Sequence, residues 1–256
     1  MFVTERPGHA RELAAAALRR GARLCIAWGG DGTVNEVASA LAHTDAVLGI
    51  VPGGSGNGLA RELGVPADPA QAFDMILSGS ARAIDAGEVD GHLFVNVAGF
   101  GLDARVALAF GADRRRGLRR YVQLTARELL AYDPVEYTVT VDGDTERARP
   151  LIVALANSRQ YGNGALIAPD ARLDDGRLDV VVVGHRPPWR VLVEARRLFT
   201  GTLGEAPGVS MRTGRTIEIS AAEPVVYHVD GEAHRGGALV RAQVRPAALH
   251  VVARPD

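Results

Sequence analysis

The stretch Leu24-Cys25-Ile26-Ala27-Trp28-Gly29-Gly30-Asp31-Gly32-Thr33-Val34-Asn35-Glu36-Val37 opens as a strand and closes as a helix. Leu24 to Trp28 is a short apolar run of buried-strand type. Gly29-Gly30-Asp31-Gly32 cannot continue a strand, and from Thr33 onward Val34, Val37, Ala38 and Leu41 recur at helical spacing. The pattern then repeats: Val47 to Val51 is a second apolar strand, Pro52-Gly53-Gly54-Ser55-Gly56-Asn57 breaks it, and a short helix over about Leu59 to Leu63 stops at Gly64 and Pro66. Ahead of both, Ala10, Leu13, Ala14, Ala17 and Leu18 fall on one helical face. Apolar strands alternating with helices predict a mostly parallel sheet covered on both faces, a three-layer α/β arrangement.

Past residue 84 the pattern changes. Ile84 to Val89 and Leu93 to Ala98 flank Asp90-Gly91, a hairpin signal. Extended runs follow at Val135 to Val141, Pro150 to Ala156, Leu178 to Val183, Val209 to Arg212, Thr216 to Ser220, Val225 to Val229 and Leu249 to Ala253. Two helices, about 118 to 131 and 189 to 199, interrupt them. The expectation is a two-domain α/β plus β chain. Residues 1–87 form the nucleotide-binding-type α/β domain, and residues 88–256 a mainly antiparallel β-sandwich packed closely against it.

Composition narrows the chemistry. All 29 basic residues of the 256 are arginine. Without lysine, a P-loop NTPase, the strand lysine of a protein kinase and Schiff-base catalysis are excluded. A bound phosphate must be held by arginine, backbone N–H groups or a metal. A net charge of −1 argues against nucleic acid as a partner, and the single cysteine, Cys25, excludes a disulfide framework. The start of the chain lacks a signal-peptide pattern, so a cytoplasmic protein is expected.

In an open parallel sheet, ligands bind outside the carboxyl ends of the strands, where both glycine loops lie. Glycines let phosphate oxygens approach the backbone, and the following helix start offers free N–H groups. Gly29, Gly30, Gly32, Gly54 and Gly56 are placed for this, with Thr33, Ser55 and Asn57 adding hydroxyl and amide groups. Asp31 puts a carboxylate there, which suits a metal or a ribose hydroxyl; the simpler role is to cap a helix.

These residues resemble the diacylglycerol kinase catalytic-domain family, which includes bacterial soluble lipid kinases and sphingosine kinases. Gly29 to Val37 resembles its signature, and Pro52 to Ala60 its second nucleotide loop. The likeness continues through Phe94-Val95-Asn96-Val97-Ala98-Gly99-Phe100-Gly101-Leu102-Asp103-Ala104, Asp174-Asp175-Gly176-Arg177-Leu178-Asp179 and Asp230-Gly231-Glu232. The family pattern begins with a strand ending in an Asn-Pro-x-x-Gly-like loop. This chain begins at what resembles the following segment, Phe2-Val3-Thr4.

The resemblance implies ATP-dependent phosphorylation of the hydroxyl of diacylglycerol, a sphingoid base or a similar lipid alcohol. The segment Gly29 to Glu36, Asn35 included, and Ser55 would bind nucleotide. Asp230 and Glu232 would act at the reacting hydroxyl. A structural Mg²⁺ would be held by Asp175 and the carbonyls of Arg172 and Arg177, with Asp170, Asp174 and Asp179 nearby. From the residues themselves, Asp230 and Glu232 at i, i+2 on an extended chain would share one side, and two close carboxylates raise one pKa, as a general base needs. The plain alternative is a hairpin corner with Glu232 solvated. His228 reads as a surface strand residue. NAD kinase is a second enzymatic reading, and a non-catalytic lipid- or nucleotide-binding protein a third. Arg114, Arg115, Arg116, Arg119 and Arg120 form a basic cluster, either a solvated helix start or a peripheral contact with anionic membrane at the inner face. The sequence leaves the oligomeric state open, a homodimer included.

Overall fold

The computed structural model describes residues 1–113 and 118–254. The first part runs α1 (His9–Arg19), β1 (Leu24–Gly29), α2 (Asp31–Leu41), β2 (Val47–Pro52), α3 (Gly58–Glu62), α4 (Pro69–Ser78) and β3 (Ser80–Val89). Strands β1 and β2 pair in parallel from Leu24↔Val47 to Gly29↔Pro52. This brings the two glycine loops out side by side at the same sheet edge. Leu48 and Ile50 face a core with Ala10, Val34, Leu41 and Leu59. On the opposite face Val51 packs with Ala72 and Ile76 of α4. Helix α4 was not anticipated from the sequence, although its start is written there: Pro69 occupies the first turn and the Asp68 side chain accepts from the Gln71 N–H at 3.0 Å.

The second part comprises β4 (His92–Phe94), β5 (Val97–Gly101), α5 (Leu102–Ala112), α6 (Leu118–Ala131), β6 (Tyr137–Val141), β7 (Asp144–Ala148), β8 (Pro150–Ala156), β9 (Gln160–Gly162), β10 (Ala165–Leu166) and β11 (Leu178–Gly184). It continues with α7 (Pro188–Glu194), α8 (Arg197–Thr200), β12 (Val209–Gly214), β13 (Thr216–Ser220), β14 (Val226–Val229), β15 (Glu232–Arg235) and β16 (Leu239–Ala253). One sheet has the antiparallel order β12-β11-β8-β5-β14-β15; β13, β6 and β7 continue the other beyond β16. Val139, Ile217, Ile219 and Val240 from one sheet meet Phe100, Leu155, Val180 and Tyr227 from the other, so the domain is a sandwich.

Four readings of the sequence change. The Leu24 to Trp28 run is not a buried strand: β1 is an edge strand, and Leu24, Ile26 and Trp28 on one of its faces are exposed. The expected strand Leu93 to Ala98 is two strands: β4 pairs with β3, β5 pairs with β8, and the chain steps between sheets at Val95-Asn96. The expected 189–199 helix is two short ones. Leu249 to Ala253 is only the end of β16, which pairs antiparallel with β3 and, at His250 and Val251, parallel with β2. The chain end thus returns to the first sheet and ties the two parts together. Asp90 and Gly91, at φ 45° and 82°, make the expected β3–β4 hairpin turn.

Candidate active site

The two glycine loops touch backbone to backbone. The Gly53 N–H donates to the Gly29 carbonyl at 2.9 Å. A Cβ on Gly54 would come within 2.5 Å of the Gly30 Cα, so a side chain there would drive the loops apart. Asn57, at φ 53°, fastens the second loop by accepting from the Gly54 N–H (2.9 Å) and donating to the Gly54 carbonyl (2.7 Å). Ser55 is exposed at the apex.

Helix α2 begins at Gly30 with no side chain capping it. The N–H groups of Asp31, Gly32 and Thr33 therefore have no acceptor within the helix and stand at a ready anion site. The Asp31 carboxylate turns away from its own helix. Oδ2 accepts from the Asn57 N–H at 2.9 Å and Oδ1 from the Gly58 N–H at 2.7 Å, capping α3 and holding the second loop against the first. Glu36 is drawn off the loop as well: it accepts from the N–H groups of Gly8 (2.7 Å) and Ala10 (2.9 Å) and pins the start of α1.

Asn35 reaches the opposite way. Its Nδ2 donates to the Leu93 carbonyl (2.8 Å) and to Asp230 Oδ2 (2.7 Å). Asp230 lies in the β14–β15 turn at φ 47°, and Val229 pairs with Glu232 across it. The two acidic residues therefore do not alternate along an extended strand. The Asp230 carboxylate faces inward and takes four bonds: Oδ2 from Asn35 and the Val95 N–H (2.9 Å), Oδ1 from the N–H groups of Asn96 (2.9 Å) and Val97 (3.1 Å). Val95 and Asn96 offer their amides because the chain crosses between sheets there, outside β4 and β5, and Val97 offers its own at the first position of β5, opposite Asp230. Burial raises the Asp230 pKa, and the four bonds oppose the rise; the cause is desolvation rather than a neighbouring carboxylate. Glu232 is exposed at the start of β15.

Sequence reasoning missed the frame behind this turn. His228 is buried, not on the surface: its Nε2 lies 3.2 Å from Asp103 Oδ2, and its Nδ1 accepts from the Gly231 N–H at 3.3 Å. The Tyr161 hydroxyl donates to the same Asp103 oxygen at 2.5 Å, and burial pushes the Tyr161 pKa well up. Buried Asn157 donates to the carbonyls of Asp85 (2.9 Å) and Val95 (3.0 Å), steadying the crossover. The available signal was polar residues inside or directly after apolar runs: Asp85, Asn157 and His228.

The Asp174–Asp179 loop meets this frame at Asp85. Asp175 Oδ1 accepts from the Arg177 N–H at 3.0 Å, and buried Asp85 accepts from the Gly176 N–H at 2.6 Å. The Arg172 guanidinium sits 3.5 Å from Asp174. The Asp179 carboxyl is pushed up to about 6, by burial first and then by Asp175 and Asp170. Among the described residues, no three His, Cys, Asp or Glu side chains converge as a metal cage. Of the basic cluster, Arg114, Arg115 and Arg116 lie outside the described residues; Arg119 is exposed, and Arg120 pairs with Asp113 at 2.5 Å.

Residues 1–89 match the diacylglycerol kinase catalytic domain, and residues 96–253 match the YegS C-terminal NAD kinase beta sandwich-like domain. A Pseudomonas fluorescens protein named probable lipid kinase YegS-like is 34% identical over 97% of this chain and 83% of its own length. The chain belongs to the diacylglycerol kinase catalytic-domain family. A Mycobacterium tuberculosis diacylglycerol kinase is 34% identical over 87% of this chain and 74% of its own. A Bacillus anthracis strain Sterne diacylglycerol kinase structure shares the fold, with TM-score 0.74 and 20% identity over 98% of this chain and 84% of that one. The glycine loops of this family member lie in the first matched domain and the Asp230 turn in the second. The Asn35–Asp230 bond is therefore a link between domains.

Proposed function

We propose that the protein is an ATP-dependent lipid kinase that transfers the γ-phosphate to the hydroxyl of diacylglycerol, a sphingoid base or a related lipid alcohol. One observation carries this reading: Asn35, in the first turns of the helix that offers open N–H groups to an anion, is bonded to Asp230 of the turn bearing Glu232. A nucleotide phosphate on one side and an acceptor hydroxyl on the other would meet there. Phosphoryl transfer asks the protein for position and charge neutralisation rather than covalent chemistry. The N–H groups of Asp31, Gly32 and Thr33, with Thr33, Ser55 and the second loop, would hold the phosphates.

The free lone pairs divide the acidic roles. A carboxylate offers about four acceptor sites, and those of Asp230 are committed to Asn35, Val95, Asn96 and Val97. Asp230 then anchors the turn. Glu232, two residues on and exposed, is the group that would take the hydroxyl proton as the phosphorus–oxygen bond forms. A cation near Asp175 belongs to this reading by family resemblance: burial is the main cause of the raised Asp179 pKa, with Asp175 and Asp170 adding to it, and a divalent ion would offset that added charge. Oxygen donors of this kind suit Mg²⁺; Asp175 and the carbonyls of Arg172 and Arg177 would hold it, and it would neutralise the loop.

The test is single-turnover phosphorylation of a lipid-alcohol panel with labelled ATP. Glu232→Gln should lower the rate about 10²–10⁴-fold with unchanged Tm and ATP affinity, and NAD offered as acceptor should stay unphosphorylated. A wild-type rate in Glu232→Gln would remove Glu232 from the chemistry.

A further inference from the structure

Helices α7 and α8 lie on the outside of the sandwich, and neither contains a buried residue. A helix this superficial is normally polar on its outer face. Here Trp189, Leu192, Val193 and Phe199 are 61%, 70%, 54% and 63% exposed. Each helix grips the domain through one apolar side chain. Val191 packs against Leu102, Val106, Leu129 and Leu151, and Leu198 against the cluster of Ile167 and Leu203. The bulkier side chains point away from the protein.

Among the described residues, the unpaired charge around them has one sign. The Arg190 guanidinium stacks 5.2 Å from the centre of the Trp189 ring, and Arg196 is exposed. Among the described residues neither makes an ion pair. The nearby acids are taken: Glu194 by Arg186, and Glu205 by Arg197 at 3.2 Å. An apolar face with Trp at its edge and unpaired Arg beside it matches the boundary between anionic headgroups and acyl chains. A second copy fits less well, since a two-fold contact would set Arg190 and Arg196 against their own like charges.

The surface also connects to the reaction turn. Val191 packs on Leu102 and Val106 of α5, and Asp103 of the same helix bonds His228, which holds Gly231. We propose that α7–α8 is an interfacial anchor that seats the protein on an anionic bilayer. Trp189, Leu192, Val193 and Phe199 enter the acyl boundary while Arg190 and Arg196 meet lipid phosphates. This inference rests on the lipid kinase reading for the reason a bilayer is approached.

The experiment uses the full chain and vesicles of phosphatidylcholine with or without phosphatidylglycerol. In a Trp28→Phe background, emission from Trp189 alone should shift to the blue with phosphatidylglycerol vesicles and be quenched by brominated acyl chains. The triple variant Trp189→Ser, Leu192→Ser, Phe199→Ser should keep its Tm and lose about tenfold or more in vesicle partitioning. Arg190→Gln with Arg196→Gln should erase the preference for phosphatidylglycerol. Phosphorylation of a monomeric short-chain diacylglycerol should be kept by the triple variant, while that of vesicle-borne diacylglycerol falls. Unchanged partitioning overturns the proposal. So does a triple variant that sediments as a monomer where the parent is a dimer, which would make the face a contact between copies. If the parent phosphorylates no short-chain lipid, the kinase reading fails instead, and the vesicle results still decide the anchor.

Discussion

Asp230→Asn separates an anchor from a base. In the parent, Oδ1 accepts from Asn96 and Val97 and Oδ2 from Asn35 and Val95. An asparagine keeps one oxygen and turns the other into an NH₂ group. Whichever way the amide is flipped, two donors lose their acceptor and face another donor. Each inward donor left unsatisfied costs about 1–3 kcal/mol, giving roughly 2–6 kcal/mol before the relief of no longer burying a charge; a net loss of about 2–4 kcal/mol follows. For a chain of this size that is roughly 5–15 °C in Tm. The assay is a thermal melt beside single-turnover phosphorylation and an ATP titration. The variant should melt early and turn over slowly while binding ATP with near-parental affinity, since α2 is held mainly by its buried face. A variant with parental Tm would show that the four bonds do not anchor the turn, and the division of roles between Asp230 and Glu232 would fall with it.

Asp31→Ala removes the shared acceptor of the Asn57 and Gly58 N–H groups; lost stability of about 0.5–2 kcal/mol, the cost of an N-cap, and clearly weaker ATP binding are expected, and unchanged affinity in a nucleotide titration would refute the role of the second loop. The Asp179 carboxyl, raised to about 6, binds its proton more tightly folded than unfolded. Its contribution to stability is complete at pH below the unfolded value near 4 and is lost as pH rises through about 6. Melts in Mg²⁺-free buffer should therefore decline over that window, Asp179→Asn should flatten the decline, and added Mg²⁺ should raise Tm more at pH 7 than at pH 5; a Tm indifferent to Mg²⁺ at both would remove the cation.

The parallel first half was legible because strand, glycine break and helical spacing follow one another twice between Leu24 and Leu63. Helix α4 was overlooked although Asp68-Pro69 announces it, and α5 because it starts directly at the end of a strand, with Gly101 at φ 92° as the only break. The crossover at Val95-Asn96 was not readable: both residues prolong an apolar run, and only the sheet assignments on either side show that the run changes partner. For the site, the sequence yields a list of candidate residues. Which carboxylates had spare lone pairs was not legible, because that depends on the amide groups of residues 95 to 97 meeting a turn some 130 positions later.

That last dependence recurs across the molecule. Asp31 caps α3, Glu36 holds the start of α1, Asp85 takes the N–H groups of Gly176 and Ala247, and Asp230 takes the crossover. These four acids are engaged in fixing backbone, and Asp31 in particular lets the second glycine loop hold one shape against the first without side chains to pack. The cost is that a carboxylate saturated by N–H donors, even one whose pKa burial raises, has no acceptor site left to offer a substrate proton. Glu232, exposed beside a turn held by Asp230 and His228, combines a fixed backbone with a carboxylate that takes no hydrogen bond among the described residues. A base needs both: position from its neighbours, and a lone pair that no neighbour has claimed.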